Sequence, residues 1–336
     1  MKRQVTMKDI AKEAGVSIAT VSMICNNKDK NISEATRTRI LELIAKRGYV
    51  PNVMARSLVT KKTKTIGLII PDITNPFFPE IARGAEDMAS KSGYSVIYCN
   101  TDDKIKRQDN YIKILTEKMV DGIIFAHSAE KAEADFNKFR IPIVLIDRDS
   151  KADNVVGRVL VDNEAASMAG VSYLIQQGYK KIAYIAGSMK TKTAQDRLAG
   201  YRRALMEHGM PYDLKWVKKG SYRSQWGYDA IQEFEKESLS FDAIFCGNDL
   251  IAIGAIKALK EKGIYVPKDV GILGFDDVYL AQMTTPPLTT IRQPKYEMGY
   301  RAAELLIDVI EKEKKQEEKK ERIILDTELV IRQSTK

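Results

Sequence analysis

Polar and aromatic side chains collect where apolar runs end. Thr65 to Ile70 is one such run, followed by Asp72 and then Asn75-Pro76-Phe77-Phe78. Another, Pro142 to Ile146, ends in Asp147-Arg148, and farther along stand Arg197, Asn248-Asp249, Asp276-Asp277 and Gln293. Carboxylates, amides and guanidinium groups hydrogen-bond vicinal hydroxyls, while rings stack on an apolar sugar face. The set therefore suits a monosaccharide. Each member has a plainer reading. Asn75-Pro76 could be only a turn, Phe77 and Phe78 core, and Arg148 a surface ion pair. Taken jointly, polar residues at so many strand ends are harder to explain that way.

Catalysis has little to stand on. Two histidines, His127 and His208, make no His-rich metal site and leave little room for a Ser-His-Asp triad. No GxGxxG turn follows a strand, and no GxxxxGK[ST] is present. An enzyme is not expected, nor a cofactor or a metal. Cys25, Cys99 and Cys246 lack CxxC spacing and read as free thiols in a reducing cytoplasm. No apolar run approaches ~18 residues, so no membrane span is predicted. Met1-Lys2-Arg3-Gln4-Val5-Thr6 leads into a charged helix rather than a signal core, which favours a cytoplasmic protein over an exported one.

The elements that must hold the strand-end residues alternate. Strands are predicted at 65–72, 94–99, 122–126 and 142–147, with helices at 79–91 and 108–118. The pattern then restarts, with helices at 164–177, 195–208 and 249–262 and strands at 181–187, 243–246 and 270–275. Two consecutive doubly wound α/β units follow, with any ligand beyond the carboxyl ends of the strands. A helix at 296–311 and a strand near 323–331 close the chain. The nearly all-charged run 311–322 between them reads as a solvated helix end and linker.

Charge is unevenly placed along the 336 residues. The whole chain is +9, from 54 Lys+Arg and 45 Asp+Glu. Residues 1–62 hold 13 of the basic and 5 of the acidic residues, net +8, leaving +1 for the rest. A basic head on a neutral body is the layout of a nucleic-acid-binding module joined to something else.

The head divides into three helices. Thr6 and Asp9 form a capping-box-like start before a helix at 8–14 that puts Ile10, Ala11 and Ala14 on one face. Gly15-Val16 is a tight turn, and Ser17 caps a second helix with Val21 and Ile24 or Cys25 inward. Ser33 caps a third, ended by Gly48. This is a helix-turn-helix domain or a generic three-helix bundle.

Lys8-Asp9-Ile10-Ala11, Ala14-Gly15-Val16-Ser17 and Ala19-Thr20-Val21-Ser22, followed by Ala55-Arg56-Ser57-Leu58, resemble the head and hinge of the LacI/GalR family of bacterial transcriptional regulators. The body resembles that family's periplasmic-binding-protein-type core. The resemblance implies a helix-turn-helix domain at 1–49, a hinge helix and linker at 50–64, and an effector-binding and dimerisation domain at 65–336. Within the last, it implies an N-lobe of about 65–161 and 292–320 and a C-lobe of about 162–291 and 321–336.

It also implies roles. The second helix would enter the major groove, with Ile18, Ala19 and Met23 facing base edges. Thr6, Ser17, Thr20, Ser22, Asn26, Ser33, Thr36 and Tyr49 would mostly contact phosphates. Leu58, with Asn52, Ala55 and Arg56 alongside, would wedge into the minor groove at the centre of a pseudo-palindromic operator. Many relatives carry Arg where this chain has Met23, so base readout here should lean on thymine methyls. Asn75, Phe77, Phe78, Asp147, Arg148, Arg197, Asn248, Asp276 and Gln293 fall where ribose-binding members place sugar contacts, and Tyr222 where an aromatic is expected.

The resulting expectation is a dimeric, sugar-responsive repressor of double-stranded operator DNA. The chain lacks the leucine heptad tail of tetrameric members, and the helix around Ala82 to Ala89 would supply part of the dimer interface. The Asp147-Arg148 pair speaks against the alternative of a purine-responsive repressor. It also speaks against a catabolite-control-type regulator answering to a phosphocarrier protein, although Arg332-Gln333-Ser334-Thr335-Lys336 resembles that regulator's tail.

Overall fold

The computed structural model describes residues 5–26, 28–50, 62–126, 141–149, 155–312 and 321–336. The chain divides into two compact units, 1–63 and 64–336.

The first unit is three helices, α1 (Met7–Ala14), α2 (Ile18–Cys25) and α3 (Glu34–Arg47). The Thr6 hydroxyl accepts from the Asp9 amide, and the Asp9 carboxylate accepts from the Thr6 amide. The short Asp9 side chain thus completes the capping box as Glu usually does. Gly15 takes φ 66° at the turn, a left-handed conformation that favours glycine. Ile10, Val21 and Ile40 are fully buried where the three helices meet.

The second unit holds two six-stranded sheets. Its first lobe contains β1 (Thr65–Ile70), α4 (Phe77–Lys91), β2 (Ser95–Asn100), α5 (Ile105–Glu117), β3 (Gly122–Phe125), β4 (Ile143–Ile146) and β5 (Val155–Val161). The second lobe follows with α6 (Asn163–Gln176), β6 (Ile182–Ala186), α7 (Lys192–Glu207), β7 (Val217–Lys219), α8 (Ser224–Lys236), β8 (Ala243–Cys246), α9 (Asp249–Glu261), β9 (Gly271–Asp276) and β10 (Thr289–Arg292). The chain then returns to the first lobe with α10 (Lys295–Glu311) and β11 (Glu321–Leu325), and finishes in the second with β12 (Glu328–Val330). The strand orders are β11-β5-β4-β3-β1-β2 and β12-β10-β9-β8-β6-β7. Pairing is parallel throughout except for β12, which runs antiparallel to β10. Parallel strands covered on both faces need continuous apolar runs, and β3, β4, β6 and β8 are buried at every position.

One expectation is corrected. The strand near 323–331 is two strands in different sheets, so residues 321–325 belong to the first lobe and not to the second. Ala82, Ala85 and Ala89 are buried in the first lobe's own core together with Met298, Ala302 and Ala303 of α10. The outer side of the same helix, α4, presents Arg83, Glu86 and Ser90. Helix starts also move. The Asn75 carboxamide accepts the Phe77 amide at 3.1 Å, so α4 begins two residues before Pro79. Pro79 then sits in the first turn, where its missing N–H costs nothing.

The α4–α10 crossing is the tightest helix contact of the lobe. A Cβ on Gly84 would stand 2.0 Å from the Tyr296 carbonyl oxygen, and one on Gly299 would stand 1.9 Å from that of Ile81. Neither neighbour is a flexible side-chain end, so a methyl group must part the helices. Gly84→Ala is expected to cost about 1–3 kcal/mol, read as a lower thermal midpoint. An unchanged midpoint would mean that the crossing relaxes freely.

Candidate functional site

The strand ends of the two lobes face one narrow cavity. Asn75, Phe77 and Phe78 reach it from the start of α4, and Asp147 and Arg148 from the end of β4. The second lobe contributes Thr193 and Arg197 from α7, Tyr222 from the loop before α8, Asn248 from the cap of α9 and Asp276 from the end of β9. Nine of the eleven residues singled out from sequence therefore share one lining. Phe77 and Phe78 meet edge to face, with centroids 5.1 Å apart.

The charges are buried and internally matched. Arg148 donates from Nη1 to Asp103 at 2.7 Å, and its Nε lies 3.7 Å from Asp147. Arg197 donates to the Asn163 side chain at 2.8 Å and to the Gly247 carbonyl at 2.5 Å. Its guanidinium carbon stands 3.6 Å from the Phe275 ring centroid, and its Nη2 3.7 Å from Asp276. Burial pushes the Asp276 carboxyl up to about 6, against the pull of Arg197 and the hydrogen bond from Gln293. Behind it, burial and the nearby Asp276 raise the Asp249 carboxyl well above its ordinary value, although Thr290 and the Val278 amide both donate to it. Four buried side-chain polar atoms have no hydrogen-bond partner among the described residues: the Ser167, Tyr184 and Tyr222 hydroxyls and Gln293 Oε1, of which only the Tyr222 hydroxyl belongs to a residue of the lining. Unpaired buried groups are costly, and groups of this kind mark places that a ligand or water satisfies.

Two predicted residues stand apart from the lining. Gln293 is buried behind Asp276 and donates to its Oδ1 at 2.8 Å, so it orients that carboxylate. Asp72 accepts from the amide and hydroxyl of Thr74, at 2.9 and 2.6 Å, and shapes the turn before Asn75. Its other oxygen lies 3.9 Å from Arg223 of the second lobe. Thr193 was missed because the helix was expected to start at Gln195. The helix starts three residues earlier, at Lys192, where Thr191 caps it by accepting the Ala194 amide at 3.2 Å. The Thr193 hydroxyl then donates to the Asp147 carbonyl across the lobes at 3.4 Å. Tyr222 can lie over the end of β6 because Gly187 has no side chain; a Cβ there would be 2.3 Å from its ring.

In the head, Ile18, Ala19 and Met23 are exposed together at α2. Ser17 accepts the Thr20 amide at 3.1 Å, and Ser33 accepts the Thr36 amide at 3.4 Å, so these hydroxyls start helices. Asn26 donates to the Ser22 carbonyl at 2.7 Å. Tyr49, expected among the phosphate contacts, is only 8% exposed and packs in the head's core. Asn52, Ala55, Arg56 and Leu58 lie outside the described residues. Among the described residues no helix is long and apolar enough to cross a membrane, and no acidic, His or Cys cluster could hold a metal ion.

Comparison with known proteins gives a consistent result. The model of "bacterial regulatory proteins, lacI family" matches residues 6–52, and that of "periplasmic binding proteins and sugar binding domain of LacI family" matches 63–333. The chain is 40% identical to the HTH-type transcriptional regulator RegA of Clostridium saccharobutylicum, over 98% of this chain and 99% of that protein. A LacI family transcriptional regulator from Enterococcus faecium, solved with bound ribose, is 30% identical with a TM-score of 0.72, covering 81% of this chain and 98% of that one. A Lac repressor dimer bound to operator and the anti-inducer ONPF superposes with a TM-score of 0.87 over 99% of both chains. At 24% identity, that last likeness is one of fold.

The raised Asp276 value has a sign that can be checked. In the native state the carboxyl holds its proton up to about pH 6, whereas in the unfolded chain it loses it near its ordinary value. Its contribution to stability is therefore fully present below pH about 4 and is lost as pH rises through the native value. Buried Asp249 acts in the same direction. Asp276→Asn is expected to flatten the fall of the thermal midpoint between pH 4 and 6 relative to the parent. An equal slope in both proteins would remove burial as the cause.

Proposed function

This chain belongs to the LacI family of bacterial regulatory proteins, and on that premise we propose that it is a dimeric repressor whose grip on a pseudo-palindromic operator is set by ribose or a closely related monosaccharide in the cleft. It is a DNA-binding transcriptional regulator that responds to an effector, and not an enzyme.

The observation that carries the sugar reading is the cleft's chemistry. Its charged groups already neutralise one another, while the hydroxyl of the lining residue Tyr222 has no hydrogen-bond partner among the described residues. A neutral polyol satisfies unpaired groups without adding a buried charge. The ribose complex of the Enterococcus faecium relative supports the same class. The operator complex of the Lac repressor dimer supports two heads on one site. The tail that favoured a phosphocarrier partner is occupied within the second lobe. Ser334 Oγ donates to the Ile272 carbonyl at 2.6 Å, and Arg332 pairs with Asp277 at 2.7 Å.

On DNA, exposed Ile18, Ala19 and Met23 offer apolar surface to thymine methyls, and the basic head supplies salt-dependent affinity for any duplex. Leu58 is the proposed minor-groove wedge, flanked by Asn52, Ala55 and Arg56.

Two measurements test the reading. Arg197→Ala should keep operator affinity and lose sugar-dependent change in operator binding, followed by fluorescence anisotropy with D-ribose. A retained response would refute the site. Leu58→Ala should weaken operator binding at least about tenfold more than binding to a random duplex at the same salt. Equal losses would end the wedge. A thermal-shift screen of pentoses, hexoses, sugar phosphates and purines, with a phosphocarrier pull-down beside it, decides the effector class.

A further inference from the structure

Lys295 is a buried ammonium outside the cavity. It is 3% exposed and sits in the first turn of α10, just after the chain has crossed from β10 back to the first lobe. An ammonium has three protons to place and no acceptor of its own. Two hydrogen bonds go to the main-chain carbonyls of Asp276 and Asp277, each at 2.8 Å. On a further side, Glu80 of α4 lies 3.5 Å away. The partners come from both lobes: Asp276 and Asp277 end β9 of the second, and Glu80 is one turn into the helix that carries Phe77 and Phe78.

The turn it grips has unusual backbone. Asp276 has φ 107° and Asp277 φ 51°, a region that residues with side chains seldom adopt. Such backbone persists where the surroundings over-determine it, and here they do. Gln293 holds the Asp276 carboxylate from one side, and two residues later Lys295 holds its carbonyl from the other. The next residue, Val278, is packed in the first lobe's core, while its amide donates to Asp249 of the second. The turn is thus where the cavity carboxylate, the strained backbone and the seam between the lobes coincide.

We propose that Lys295 is a positioning residue: it clips the Asp276-Asp277 turn to helix α4, so that occupancy of the cleft at Asp276 is transmitted to the first lobe. The transmission rests on the cleft being the effector site; the clip itself does not. The charged groups facing it are Glu80 and the Asp276-Asp277 turn. Lys295 makes no cavity contact, so its effect on a ligand passes through Asp276.

Amide hydrogen exchange on the full chain tests this, comparing the parent, Lys295→Met and Glu80→Gln, each with and without D-ribose. Loss of the clip should speed exchange about tenfold or more in both 274–280 and 77–82 of the Met variant, the factor one charge-assisted hydrogen bond typically supplies. Strand β6, remote from the clip, should be unchanged. Glu80→Gln keeps the ammonium but weakens its anchor, and should speed 274–280 in the opposite lobe by a smaller factor. If Lys295→Met loosens α10 and 77–82 while 274–280 stays protected, Lys295 merely starts a helix and the clip is overturned. If Lys295→Met does not fold, Glu80→Gln decides: unchanged exchange at 274–280 overturns the clip. Absence of any ribose protection in the parent refutes the sugar reading, and the ligand-free comparison still decides the clip.

Discussion

Burying charge between two lobes is the constraint on which the cleft depends. Arg148, Arg197, Asp147 and Asp276 are each less than 8% exposed. An ion taken out of water costs several kcal/mol unless it is paired and its remaining hydrogen-bonding capacity is filled. The arginines meet that requirement within their own lobes, Arg148 through Asp103 and Arg197 through Asn163 and the Gly247 carbonyl. Each lobe therefore carries its ions ready paired. Two of the contacts across the seam are lighter: the Thr193 hydroxyl on the Asp147 carbonyl and the long Arg223–Asp72 contact. At the crossover the seam is held more firmly, by Lys295 on the Asp276 and Asp277 carbonyls.

Topology puts these groups in one place. Parallel sheets direct all their carboxyl ends the same way, and two such sheets facing each other give a cleft lined by loops from both. The chain passes between the lobes after β5, after β10 and after β11, so the lobes share three connections. The second of them, 292–295, is the one built from cleft-facing chemistry. Gln293 and Lys295 hold the side chain and the main chain of Asp276 within a span of three residues.

Much of this was legible in the residues themselves. Apolar runs such as Ile66 to Ile70 and Ala243 to Cys246 identify buried parallel strands, and the polar residues after them identify the lining. The misses have physical causes. Glu321–Leu325 and Glu328–Val330 are separated by two residues, and nothing local says that they join different sheets; strand partners are chosen by contacts far away in sequence. Asp72 has the right chemistry at a strand end, but one of its oxygens is taken by Thr74 and the other lies toward Arg223. Thr193 lies in a first helical turn, where a strand-end search does not look. Tyr49 is amphipathic, and its ring packs with the head's core.

The energy scale of coupling limits what an effector can change. Coupling between two sites is typically worth about 1–3 kcal/mol, and it is reciprocal between effector and operator. Breaking a buried ion pair by uncovering one partner costs about 3–5 kcal/mol. A transition driven by coupling of that size does not uncover the buried Arg197–Asp276 pair. It has to be assembled from cheaper moves, and the seam offers them in the long contacts at Thr193 and Asp72. A rigid, pre-paired lining, with weak contacts at Thr193 and Asp72 and a firm one at the Lys295 crossover, is thus an arrangement in which a small neutral ligand can bias the lobes without dismantling the site that binds it.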